Sequence, residues 1–189
     1  MRIYAIFAND NTKGTSYKLF AEAIQTLKSQ GHTVDQLLLY EREKEIPFFK
    51  HSQEHMESHP FYIENKERFM QADTLLLVFP LYWYSVPAIM KAWLDMINAW
   101  AYKYKKGIHA EPLHHIKKSL VIYSSMQSNE VLEKKLHNPV EQQLMETFKF
   151  IGIPEIEVYH VDQVNQIDTN KLTKHLQQIK KLCKDCSDT

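Results

Sequence analysis

Five short apolar runs, at residues 2–8, 34–39, 75–79, 120–123 and 155–161, are separated by segments with helical spacing. Runs of four to eight apolar, β-branched and aromatic residues read as strands, and apolar residues three and four apart mark a helix face. Residues 18–30 put Phe20, Ile24 and Leu27 on one face, with Leu19 and Ala23 beside them and Gly31 as a stop. Residues 61–70 give a second helix. Ile89, Trp93, Met96 and Trp100 form the stripe of a third, with Ser85 as its expected cap and Pro87 in its first turn. Residues 140–150 give a fourth, with Leu144 and Phe148 inward and Gly152 at its end. A fifth follows a cap at Asp168 or Thr169 and carries Leu172, Leu176, Ile179 and Cys183. Strands that alternate with helices require a mainly parallel sheet covered on both faces. Right-handed crossovers leave the order 2-1-3-4-5 as the natural one, an α/β three-layer sandwich of the doubly wound type. The 189 residues fit one domain, 1–189. Residues 41–60 are polar and irregular, and read as an excursion near the sheet edge.

Such sheets bind ligands outside the carboxyl ends of their strands, where strand order reverses. Three segments meet there: the loop 9–18, the turn 80–84, and the loop 124–129. The first reads Asn9-Asp10-Asn11-Thr12-Lys13-Gly14-Thr15-Ser16-Tyr17-Lys18 and opens a helix. Free N–H groups and the dipole at a helix start favour an anion, and Thr15, Ser16 and Lys18 add donors and charge. Capping of the helix by Thr15 or Ser16 is the commoner explanation of such hydroxyls. The second segment, Pro80-Leu81-Tyr82-Trp83-Tyr84, puts three aromatic rings where turns usually carry Gly, Asn, Asp or Ser. They could pack beneath a helix or fill a subunit interface. Three in succession cannot all face one core, because neighbouring side chains diverge. A planar heteroaromatic ligand such as a flavin would use main-chain N–H groups at its edge and a ring at its face.

Basic and acidic residues balance at 23 each, which gives no electrostatic case for nucleic acid or an anionic membrane. No apolar stretch is long enough to span a bilayer, and the apolar start is too short for a signal peptide, so a cytoplasmic location is expected. Cys183 and Cys186 are spaced C-x-x-C, but they follow a helix rather than opening one. The expectation is one core-facing thiol and one tail residue. His51, His55 and His59 would align on a helix as metal ligands, but Pro60 and the polar setting favour a loop with no metal. His114-His115 reads as a solvated loop pair.

The segment from Phe79-Pro80-Leu81-Tyr82-Trp83-Tyr84-Ser85-Val86-Pro87 through Trp93-Leu94-Asp95 to Trp100-Ala101-Tyr102-Lys103-Tyr104 resembles the flavodoxin-like NAD(P)H:quinone oxidoreductases. That group includes quinone reductase, the modulator of drug activity B and the ancillary flavoproteins of potassium-efflux systems. Weaker similarity covers Thr15-Ser16-Tyr17 and residues 139–152. The resemblance implies a flavin, FMN or FAD with FMN favoured, NAD(P)H as co-substrate, and a quinone-like acceptor. Two-electron hydride transfer would run in ping-pong order through one shared site. It implies flavin-phosphate contacts at Thr15, Ser16, Tyr17 and Lys18, with Asn9 in the same loop. Pro80, Leu81, Tyr82, Trp83 and Tyr84 would hold the ring, with Tyr123, Ser124 and Ser125 on the facing loop. Tyr102 and Tyr104 match aromatics that the family's dimers contribute to the partner's substrate site, which implies a homodimer. His137 falls near a family histidine that manages protons on the reduced flavin. Asn9-Asp10 stands where the family has His-Pro, and Tyr123-Ser124-Ser125-Met126 where it has Thr-Thr-Gly-Gly. The alternative function within the resemblance is a redox-sensing regulatory subunit that docks on a potassium-efflux transporter.

Overall fold

The computed structural model describes residues 1–48, 57–105 and 110–185. In chain order the elements are β1 (Arg2–Phe7), α1 (Thr15–Ser29), β2 (Thr33–Leu38), α2 (Pro60–Met70), β3 (Thr74–Pro80) and α3 (Ala88–Trp100). There follow β4 (Tyr102–Tyr104), β5 (Ala110–Pro112), β6 (Lys118–Ser124), α4 (Pro139–Ile151), β7 (Glu155–Val161) and α5 (Thr169–Asp185). The main sheet has five strands in the order β2-β1-β3-β6-β7, all parallel. This is the order expected from the sequence, with β6 and β7 as fourth and fifth strands. The antiparallel hairpin of β4 and β5 was not expected; it carries Tyr102 and Tyr104.

Side chains alternate between the two faces of each strand. Tyr4, Ile6, Leu75, Leu77, Phe79, Val121 and Tyr123 point into a core closed by α2, α3 and α4. Ile3, Ala5, Phe7, Leu76, Val78, Leu120 and Ile122 point the other way, onto α1 and α5. Because both faces are covered, β3 is buried along six of its seven residues, which is why its sequence shows no polar alternation. Gly31 and Gly152 both have positive φ, at 83° and 94°, and follow α1 and α4 as the sequence suggests. No helix among the described residues is long and apolar enough to cross a membrane.

Three local expectations change. Ser85 does not cap α3: the cap position falls on Pro87, outside the helix rather than in its first turn, and Ser85 instead closes the aromatic turn. Trp100, by contrast, is core as its place in the α3 stripe implies, 2% exposed and set edge-on to Tyr62 and Phe69. His114 is half-buried, 3.0 Å from the Ile151 carbonyl oxygen, and burial lowers its pKa; only His115 is exposed. Residues 39–45 form a 3₁₀ segment within the stretch read as irregular. Cys183 is buried against the α1 side of the sheet, while Cys186, His51 and His55 lie outside the described residues. His59 precedes α2 as its cap residue, and the described residues contain no group of three His, Cys, Asp or Glu placed to hold a metal.

Candidate functional site

At the carboxyl ends of β1, β3 and β6 a cleft opens in two connected compartments. The first, about 280 Å³, is lined by Asn9, Asn11, Gly14, Thr15, Ser16, Pro80, Leu81, Tyr82, Ser124 and Ser125, with Met126, Val164 and Asn165. The second, about 230 Å³, is lined by Leu81, Trp83, Tyr84, Ser125, Met126 and Gln127. They share Leu81, Ser125 and Met126, so one cleft runs from the start of α1 to the aromatic turn. A larger cavity, about 700 Å³, lies at the other end of the sheet, with Thr74, Lys118 and Glu155 in its walls. It sits at the amino ends of the strands, where neither a helix start nor the switch of strand order contributes a binding group. The smaller cleft is therefore the candidate site.

The start of α1 leaves its first turn without a side-chain cap. Gly14 is the cap residue, so Thr15 and Ser16 stand in the first turn with their hydroxyls free of that task. The first turn holds no acidic residue. Asn9 and Asn11 accept the N–H groups of Asn11 and Lys13 at 3.1 and 3.0 Å, which stiffens the loop as Asx turns do. A side chain at Gly14 would meet the Asn11 amide at 3.0 Å, so a larger residue there would have to displace the Asn11 side chain. Ser16 is buried, and its Oγ lies 2.8 Å from Ser124 Oγ, which ties the two walls together.

The aromatic turn is a two-residue hairpin. Tyr82 and Ser85 exchange N–H···O=C bonds, both 3.0 Å, and Trp83 and Tyr84 at its tip have φ of 49° and 62°. Positive φ at both central residues is type I′ geometry, which favours Asn-Gly. An L-residue there costs about 1–2 kcal/mol, and the cost is greatest for bulky side chains. Trp83 is 95% exposed, Tyr82 44% and Tyr84 41%, so none of the three fills the core. Burial, and then Asp10, raises the Tyr82 pKa, keeping its hydroxyl protonated.

The remaining residues expected at the site do not line the cleft. The Tyr17 ring turns toward Phe7 and Phe20, and Lys18 is exposed to one side. The Tyr123 side chain points beneath the wall, where its hydroxyl donates to Glu141 at 2.6 Å. That bond and burial raise its pKa, burial contributing more. Tyr102 and Tyr104 lie edge-to-face on the hairpin, with Tyr102 against Phe150. Hydrogen bonding to Tyr104, with burial, pushes the Tyr102 hydroxyl up to about 12. His137 is exposed just before α4, and its carbonyl accepts from Gln142.

Val164 and Asn165 were missed, although they follow β7 on the same edge of the sheet. Also missed was His160, which stacks on Tyr123 and lies 2.8 Å from Ser125 Oγ. Burial pushes its imidazole down to about 4, with His175 adding to the effect and Asp162 opposing it. Between pH 4 and 6.5 the unfolded chain thus binds a proton that the folded chain refuses, so His160 lowers stability as pH falls through that window. The full shift corresponds to roughly 3 kcal/mol, and about 2 kcal/mol after allowance for partial exposure. Unfolding free energies from urea titration at pH 7 and 4.5 should converge by about this amount in His160→Phe relative to wild type. Equal acid losses in the two proteins would contradict it.

The family model of the flavodoxin-like fold matches residues 1–183. A ribosyldihydronicotinamide dehydrogenase-like protein of Penicillium crustosum is 26% identical over 130 residues, covering 59% of this chain and 49% of that protein. The ribosyldihydronicotinamide dehydrogenase [quinone] of Mus musculus is 27% identical over 116 residues, 51% of this chain and 50% of that one. The chain thus spans about half the length of these curated relatives. An NAD(P)H:quinone oxidoreductase from Methanothermobacter marburgensis superposes with TM-score 0.83 at 20% identity, over 100% of this chain and 98% of that chain. An FMN-dependent NADH-azoreductase from Bacillus anthracis, in complex with FMN, does so with TM-score 0.80 at 19% identity over 100% of both.

Proposed function

Since the chain belongs to the family of flavodoxin-like fold, we propose that its cleft binds a flavin, FMN rather than FAD, and that the protein is an NAD(P)H-dependent oxidoreductase acting on quinone-like acceptors. The observation that carries this reading is the pairing of an uncapped helix start with a strained, exposed aromatic turn along one cleft. Relatives and neighbours named as quinone and azo reductases support it.

The residues present fit the cofactor. The first-turn N–H groups and the hydroxyls of Thr15 and Ser16 would hold its phosphate. Leu81, Tyr82, Trp83 and Tyr84 would hold the ring, facing Ser125 and Met126. The bound flavin would supply two-electron hydride exchange between NAD(P)H and the acceptor. The N–H groups of Trp83 and Tyr84 take no part in the Tyr82–Ser85 bonds and would steady negative charge at a ring edge. Donor and acceptor would occupy the same place on the flavin in turn, so the order would be ping-pong. His137 is assigned proton handling from the family resemblance alone.

The purified protein should be yellow, with absorbance near 450 nm, and the apoprotein should regain NAD(P)H–quinone activity with FMN. A protein that neither carries nor takes up flavin would overturn the assignment. Thr15→Val/Ser16→Ala should weaken FMN binding about tenfold or more, as loss of a charge-assisted hydrogen bond costs about 1.5–3 kcal/mol. Unchanged affinity would remove the phosphate from this end of the cleft.

The proposed homodimer rests on an aromatic surface: Tyr104 is 69% and Phe150 44% exposed, joined through Tyr102. Sedimentation at micromolar concentration should give a dimer; an active monomer would remove both the dimer and the shared site. A redox-sensing role on a membrane transporter would use the same cleft, and uniformly slow turnover with every quinone would favour it.

A further inference from the structure

The wall 124–129 contains no glycine, and one side chain holds it from below. His160, the penultimate residue of β7, stacks on Tyr123 with ring centroids 4.3 Å apart and planes 10° apart. Its Nδ1 lies 2.6 Å from Asn129 Oδ1 and its Nε2 lies 2.8 Å from Ser125 Oγ, so one imidazole grips both ends of the wall. Backbone bonds add to the grip. Ser125 N–H donates to Val161, Val164 N–H donates to Ser125, and Asn129 N–H donates to the Asp162 carboxylate at 3.2 Å.

Counting protons fixes the polarity. The Asn129 carbonyl oxygen only accepts, so Nδ1 carries the ring proton. The neutral ring then has a lone pair at Nε2, which accepts a hydrogen bond from the Ser125 O–H. The Gln127 carbonyl, 2.9 Å from that hydroxyl, is a second acceptor for it and also accepts the Gln163 N–H. Whichever acceptor it serves, the hydroxyl proton is committed inside the protein. Ser125 therefore offers the cleft only lone pairs, and it lines both compartments.

We propose that His160 is the positioning residue of this cleft: it fixes the wall 124–129 and holds Ser125 Oγ as a hydrogen-bond acceptor for an N–H or O–H donor on the bound ligand. With FMN as that ligand, the inference rests on the flavin reading above. His160 touches neither cofactor nor substrate; it acts through Ser125.

A double-mutant cycle on FMN binding to the apoprotein, followed by flavin fluorescence, tests it. His160→Phe keeps a ring stacked on Tyr123 while removing both nitrogens. His160→Phe and Ser125→Ala should each weaken binding about tenfold, and the double variant should also lose about tenfold, because both remove the same bond. A double variant weakened about a hundredfold, or His160→Phe binding within about twofold of wild type, overturns the proposal. Nitrogen-15 shifts of the imidazole in the ligand-free wild type near pH 7 give a readout that needs no flavin. They should show Nδ1 protonated and Nε2 bare, with the Nε2 resonance moving in Ser125→Ala. A protonated Nε2 overturns the proposal even if FMN binds. The expected tautomer in a protein that binds no FMN upholds the His160–Ser125 arrangement and overturns the flavin reading instead.

Discussion

Replacing the turn tip with Trp83→Asn/Tyr84→Gly is expected to stabilise the apoprotein while it cripples flavin binding. The pair sits at φ of 49° and 62° in a type I′ hairpin, where Asn-Gly is the favoured dipeptide. Relieving two left-handed aromatic residues should return about 2 kcal/mol, and a domain of this size gains about 2–4 °C in Tm for each kcal/mol. Trp83, 95% exposed, gives up almost no packing, and the packing lost at Tyr84, 41% exposed, offsets only part of the gain. Affinity should move the other way. Losing two aromatic faces from a ligand that covers them should cost about 2–3 kcal/mol, roughly a 30- to 100-fold weakening. The paired readout is apo Tm beside FMN affinity. A fall in apo Tm with unchanged affinity would make the turn a packing element and sink its role in the site.

That opposition between stability and binding explains why the turn was legible in sequence at all. A hairpin tip selected for stability would read Asn-Gly, so Trp83-Tyr84 departs from local preference at the place where the sheet's topology puts a ligand. The fold was legible for a related reason. Strands buried on both faces, such as residues 75–79, have to be continuously apolar, and α1 shows its buried face directly in Phe20, Ile24 and Leu27. Fold and turn were therefore the parts that local chemistry alone could specify.

Other parts depend on contacts made across long sequence distances. The capping role given to Ser85 failed because a hairpin bond to Tyr82 claims its backbone, and a serine before a helix reads the same in either case. Trp100 shows helical spacing and a position near the helix end, but only the approach of Tyr62 and Phe69 from α2 decides that it is core. Thr15 and Ser16 invited the capping explanation, and the backbone at Gly14 removed it. His160 gave almost no signal. It is one polar residue in a half-buried edge strand, and its meaning comes from Ser125 and Asn129, 35 and 31 residues away.

The same long-range logic predicts the most sensitive position in the core, Asn65. It is fully buried on α2, and its Oδ1 accepts from Tyr4 Oη at 2.5 Å and from Trp93 Nε1 at 3.1 Å. Its Nδ2 donates to the Phe61 carbonyl at 2.7 Å. One amide thereby joins β1, α2 and α3, and α3 is the helix that follows the aromatic turn. Asn65→Leu keeps the branch at Cγ but strands two buried donors, each costing about 1–3 kcal/mol, and sets larger methyl groups against them, with roughly 1 kcal/mol regained from apolar burial. The net loss should be about 3 kcal/mol, a Tm fall of about 6–12 °C. FMN affinity of the folded fraction should change little, because Asn65 is remote from the cleft lining. Removing the stranded donors as well, in Tyr4→Phe/Asn65→Leu/Trp93→Phe, should recover a large part of the loss, since desolvated groups without partners are the cause. If Asn65→Leu melts with wild type, the three bonds contribute nothing net. If the triple variant is weaker still, the cost comes from packing around the two rings rather than from stranded hydrogen-bond donors.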